Sequence, residues 1–252
     1  MTLTHGENEM TISTVDNSQR TAAKVAGWSG LLTFVIVILG NYVLLNPLVV
    51  PGDAAATAQN VVAHQMQFRI TVVCFLTYSL GVVVLLSALY VVLEPVNRGL
   101  ALVGALFRLI FALLWLLSPL NLLAMLRLLS NANYLQVIEP DRLQALARLH
   151  LGATFDDYYV GLPFFGLAAT VCAYLWLKSN YIPKGLAIFG VISSAWCVLC
   201  AFVFLIFPQF NKVVNDYLFD SPMALFELIV SFWLLFKGLK PVAPNQPQTG
   251  AL

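Results

Sequence analysis

Two adjacent carboxylates, Asp156 and Asp157, stand immediately before the apolar and aromatic run "YYVGLPFFGL". Such a pair can bind a cation, exchange protons with a substrate, or simply cap a helix. On a helix, Asp157 shares a stripe with Gly161, Ala168 and Cys172, which predicts close packing towards the inside of a bundle. Asp156 is turned about 100° away and is expected to cap the helix at the interface. Two readings stay open for the pair. One is an acidic N-terminus favoured by the helix dipole. The other is an outer polar cluster in which Asp157, with Asp156 beside it, turns towards Arg69, Arg127, His64 or His150.

Two further charges lie inside long apolar runs, where an ionisable group costs ~2.5–3.5 kcal/mol and generally faces protein. Ala101, Gly104, Ala105 and Ala112 surround Arg108 on one helical face, and Glu227 shares its face with Ala224 and Ser231. At ~1.5 Å per residue, Arg108 lies ~14 Å from the helix start at Gly99, and Glu227 ~15 Å from Lys237 on a helix running the other way. The two are therefore level and expected to pair. A structural pair that fixes helix packing and a polar cavity for a proton, ion or small ligand both fit this pattern. Arg108, Glu227 and Asp157 form the candidate intramembrane site.

Other chemistries find less support. His64, His150, Asp156 and Asp157 have no compact metal-ligand spacing, and no metal or other cofactor is expected. The three histidines all lie outside the deep parts of the apolar runs, against haem ligation there. Cys74, Cys172, Cys197 and Cys200 are within apolar segments; "CVLC" has redox spacing but no external cysteine pair to exchange with. No nucleotide-binding glycine loop or Gly-x-Ser-x-Gly nucleophile is present.

The elements that must position these residues are membrane helices. Hydrophobic residues make up 60% and charged residues 10% of the 252-residue chain, far from the balance of soluble domains. Mean hydropathy is +0.84. The net charge of +1 gives no reason to expect a nucleic-acid partner; the lipid bilayer is the expected one, with a small ligand or protein partner unspecified. Spans are predicted at 25–45, 70–93, 99–126, 158–177, 185–207 and 222–236. The fold class is all-α: a polytopic bundle of six transmembrane helices with short extracytoplasmic helices. One of those is predicted over 53–67 with Asp53 as N-cap, another over 140–150. Residues 1–24 and 240–252 are polar and expected to be disordered on the cytoplasmic side.

Lys and Arg set the expected orientation. With both termini inside, Arg20, Lys24, Arg98, Lys178, Lys184, Lys237 and Lys240 are cytoplasmic, whereas Arg69, Arg127, Arg142, Arg148 and Lys212 are external. "VNRGLALVG" (96–104) and "IPKGLAIFG" (182–190) match in pattern, either as a duplicated helix pair or by convergence on a common cytoplasmic helix start.

"PGDAAATAQNVVAHQMQFR" (51–69), "LKSNYIPKGLAIFG" (177–190) and "ELIVSFWLLFKGL" (227–239) together resemble a bacterial membrane family, domain of unknown function 4386. The likeness runs from about Arg20 to Lys240. It implies a multi-pass protein of the bacterial inner membrane and brings no activity, ligand or catalytic residue with it. Two function classes follow. A non-enzymatic protein with a structural, regulatory or partner-binding role comes first. A small permease or ligand-binding protein using an intramembrane polar cavity comes second, with an intramembrane enzyme third. A cavity continuous from Asp157 to Arg108 favours the second class; a dry, packed interior favours the first.

Overall fold

Apolar runs within a bilayer have only their own backbone to hydrogen-bond with, so they fold as helices. The computed structural model describes residues 15–240 except 131, 213 and 215, and all regular structure among them is helical. The α-helices are α1 (Asn17–Ile38), α2 (Ala54–Ala63), α3 (Gln65–Leu93), α4 (Arg98–Trp115), α5 (Leu117–Leu128), α6 (Pro140–Ser179), α7 (Lys184–Ile206) and α8 (Asp216–Phe236). Six stretches are long and apolar enough to cross a membrane: Asn17–Leu48, Gln65–Leu93, Arg98–Leu128, Pro140–Ser179, Lys184–Ile206 and Phe219–Phe236. The protein is a polytopic, all-α membrane protein.

Three boundaries differ from expectation, each for a local reason. Residues 17–24, expected to be disordered, are the first turns of α1. Asp16 Oδ1 accepts from Gln19 N at 2.6 Å and Gln19 Oε1 accepts from Asp16 N at 3.2 Å, a reciprocal capping box that starts the helix early. The remaining terminal stretches expected to be disordered, 1–14 and 241–252, lie outside the described residues.

The third span is two helices, interrupted at Leu116. Pro119 has no N–H for the carbonyl of Trp115, and its ring crowds that carbonyl, so the α-ladder breaks there. The segment 140–150 is not a separate helix but the beginning of the 40-residue α6. At ~1.5 Å per residue such a helix is ~60 Å long, twice the ~30 Å hydrocarbon core, and must project well beyond one surface. Its projecting part is covered: Ala147 and Leu151 are fully buried in a cluster with Val61 of α2, Phe68 of α3, and Leu122 and Met125 of α5. The short α2 is capped as expected, with Asp53 Oδ1 accepting from Ala56 N at 2.8 Å.

Hydrogen bonds between distant segments define one face of the bundle. The Gln19 amide donates to the carbonyl of Val92 at 3.2 Å and lies 3.3 Å from the Tyr181 hydroxyl. Lys240 N donates to the carbonyl of Tyr181 at 3.0 Å. Both ends of the described chain therefore sit beside the short turns at 94–97 and 180–183, on what we call the terminal face. The opposite, loop face carries α2 and the connections 129–139 and 207–215. The two similar turn motifs open α4 and α7 differently. Asn97 Oδ1 accepts from Leu100 N at 2.9 Å, while Pro183 supplies no side-chain cap.

Towards the terminal face the helices close tightly because small residues admit their neighbours. A Cβ built on Gly30 would lie 2.2 Å from Ser231 Oγ, and one on Gly190 would lie 2.3 Å from the Phe226 ring. One on Gly27 would lie 2.6 Å from Leu235 Cγ. These contacts lock α1 and α7 against α8. Beyond Ile38, towards the loop face, α1 widens into a π-helix over Leu39–Leu45 and ends in a 3-10 turn at Asn46–Leu48. Single π-helical turns of this kind often accompany functional sites.

Candidate functional site

Arg108 on α4 and Glu227 on α8 meet in the middle of the bundle. The guanidinium reaches the carboxylate with both terminal nitrogens: Nη1 donates to Glu227 Oε2 at 3.3 Å, and Nη2 donates to Oε1. This two-pronged geometry gives a charge-assisted contact with fixed direction. Arg108 is buried, its guanidinium carbon standing 5.1 Å from the centre of the Phe165 ring, whereas the Glu227 side chain retains 23% of its exposure. The carboxylate is thus the member of the pair that faces open space.

That space is a cavity of about 460 Å³ between α1, α3, α4, α6 and α8. It extends from Glu227 and Ser231 at mid-bundle to Asn46, Ser118 and Thr154 towards the loop face. Its walls are largely aromatic, including Tyr78, Phe111, Trp115, Tyr158 and Phe165. Tyr78 and Trp115 pack with ring centroids 4.6 Å apart, and Trp115 meets Tyr158 edge-on at 5.7 Å. Polar groups interrupt these walls: Asn41 and Asn46 at the π-helical end of α1, Ser118 on α5, and Asp220 on α8. The Tyr158 hydroxyl donates to Asp220 Oδ2. Asp220 and Glu227 are seven residues apart, so they share one face of α8 about two turns, or ~10 Å, apart.

Four of its lining residues, Ile38 and Tyr42 on the α1 side, Phe155 on α6 and Leu225 on α8, are exposed on the outside of the bundle, so the cavity lies close to the lateral surface in the loop-side half. Below the ion pair, towards the terminal face, only a void of about 30 Å³ remains, bordered by Arg108, Cys172, Trp176 and Phe226. That is room for about one water molecule. Glu227 and Ser231 border both spaces, so the pair forms the floor of the larger one.

With that arrangement in view, the comparisons with known proteins place the chain. The family described as "Domain of unknown function (DUF4386)" matches residues 25–238. The chain belongs to the DUF4386 family. An uncharacterised protein of Archaeoglobus fulgidus is 26% identical over 154 residues, covering 61% of this chain and 74% of the relative. No solved structure matches. The DUF4386 match includes the ion pair and every cavity residue named above.

The expected outer cluster is only partly assembled in this DUF4386 chain. Asp157 Oδ2 accepts from Asn121 Nδ2 at 2.9 Å and from Ser118 Oγ at 3.5 Å. His150 Nδ1 lies 3.2 Å from Asn121 Oδ1, so Asn121 links His150 to Asp157. None of Arg69, Arg127, His64 or Asp156 makes an ion pair among the described residues, and all four are exposed. His64 instead lies 3.0 Å from the carbonyl of Asn60, at the bend between α2 and α3. The cluster fails to form because α2 and the extended α6 cover the loop face with apolar side chains, leaving the long cations to solvent.

Neither Asp220 nor Tyr158 is assigned a role from the sequence. The heptad spacing Asp220–Glu227 was the available signal. Asn121 and Ser118 carried none, since each is an ordinary polar residue within a long apolar run. The four cysteines are buried free thiols. No group of three His, Cys, Asp or Glu side chains assembles among the described residues.

Proposed function

We propose that this DUF4386 protein binds a small molecule within the membrane, in the lateral cavity whose floor is the Arg108–Glu227 pair. The observation that carries this reading is the cavity itself: about 460 Å³, aromatic-walled, with a few converging polar groups. Small-molecule sites typically occupy ~300–1,000 Å³ and have this composition. A purely structural bundle has no use for such a space, because unfilled volume forfeits packing. Neither Asp157 nor Arg108 lines the cavity, so it is not a continuous path between them; its volume, its aromatic walls and the Glu227 carboxylate are what favour the ligand-binding class over the structural role that the sequence put first.

The terminal face is assigned to the cytoplasm on the strength of Arg98, Lys178 and Lys184 in its short turns. Placement in a bacterial inner membrane rests on the family resemblance. The cavity then faces the outer leaflet. Thermal-shift screening of the purified protein beside an Ala224→Phe variant tests the binding reading, since the larger side chain fills the cavity from α8. Compounds that stabilise the wild type and lose their effect in the variant support it. A broad library that shifts both proteins alike contradicts it.

A further inference from the structure

Resting on that reading, we propose that the ligand is an amphiphilic organic cation: an aromatic or alkyl body and an ammonium head. Two features of the cavity select these parts. The first is charge. Among the described residues lining the cavity, the charged ones are Asp220 and Glu227, both acids on one face of α8. Arg108, the nearby cation, borders the small void beneath the floor and lies against Phe165. An anionic ligand in the cavity meets these carboxylates, whereas a cationic head complements them.

The second feature is the aromatic wall. Tyr78, Phe111, Trp115 and Tyr158 form one run of touching rings in that wall. Ring faces attract cations, most strongly where water is excluded, and recognition of ammonium groups in aromatic cages uses this attraction. The Tyr158 hydroxyl, by donating to Asp220, holds that carboxylate at the edge of the cage. Exposed lining residues on the outside of the bundle, Ile38, Tyr42, Phe155 and Leu225, suit a molecule that first partitions into the bilayer.

Three matched probes test this with the full-length protein in nanodiscs, using calorimetric titration. They are choline phenyl ether, its neutral carbon isostere 3,3-dimethylbutyl phenyl ether and the anion 3-phenoxypropanoate. The cation is expected to bind at least about tenfold more tightly than the neutral and anionic probes, a difference of ~1.4 kcal/mol. The Asp220→Asn variant should reduce that preference about tenfold. Should Asp220→Asn fail to fold, Tyr158→Phe and the wild-type probe ranking still decide the matter. Equal binding of the cation and the neutral isostere overturns the cation proposal while leaving the binding cavity standing. Binding of none of the three, together with a library that shifts the Ala224→Phe variant like the wild type, overturns both.

Discussion

On the terminal side of Glu227, α1 and α8 meet through Gly27, Gly30, Ser231 and Leu235 with no room for a methyl group. On the loop side the same two helices line a cavity of about 460 Å³. The difference is one of side-chain size and helix geometry. Glycines let the backbones approach in one half. In the other, Phe34, Val37 and Ile38 stand opposite Ala224, Leu225 and Leu228, and the π-helical end of α1 follows α3 towards the loop face. A single pair of helices thus forms a seal at one end and part of a cavity wall at the other. The ion pair marks the boundary, with the larger cavity on one side and a void of about 30 Å³ on the other.

The sharpest way to break this contrast is at the boundary. Glu227→Ala leaves the Arg108 guanidinium buried without its partner and should cost ~3–5 kcal/mol in thermal or denaturant unfolding. The double variant Arg108→Met/Glu227→Leu should recover most of that loss, because an apolar pair replaces the charges without stranding either. A double variant as unstable as the single one would show that the charges are not coupled.

Enlarging side chains should then separate the two halves. Gly190→Leu, which drives new atoms into the Phe226 ring, should cost ~1–3 kcal/mol. Ala224→Leu, which extends into the cavity, should change stability by no more than ~0.5 kcal/mol. Similar losses at both positions would mean that the loop half is packed as tightly as the terminal half. An effect smaller than that of Gly190→Leu is expected at the terminal turn. Asn97→Ala removes the α4 cap and should cost ~1 kcal/mol in the same unfolding measurement. A similar one is expected on the loop side of the cavity. Asn121→Ala cuts the link between His150 and Asp157, for ~0.5–1.5 kcal/mol, and should leave ligand affinity unaltered because Asn121 is not among the cavity-lining residues.

The fold was largely legible because hydropathy and length determine membrane spans with little help from context. The depth of Arg108 and Glu227 was legible for the same reason, since rise per residue converts directly to depth. The cavity was not, because it results from how far α1 and α8 diverge, which depends on side chains facing across two helices far apart in sequence. Asp220 illustrates the limit. Its importance comes from the Tyr158 hydroxyl beside it and from the face it shares with Glu227, neither of which hydropathy reports. The extended α6 escaped notice because polar residues between 140 and 157 look like a boundary, although "LGATFDD" holds no proline to break the helix.

The most direct test of the open loop half is thiol accessibility. In a background with Cys74, Cys172, Cys197 and Cys200 replaced by alanine, Ala224→Cys places a thiol in the cavity wall and Ala187→Cys places one in the fully buried terminal half. Reaction with N-ethylmaleimide in nanodiscs, followed by intact mass, reads the difference. The Ala224→Cys protein should be modified under conditions that leave the Ala187→Cys protein unmodified. Equal resistance of the two thiols would contradict an open cavity above the Arg108–Glu227 floor.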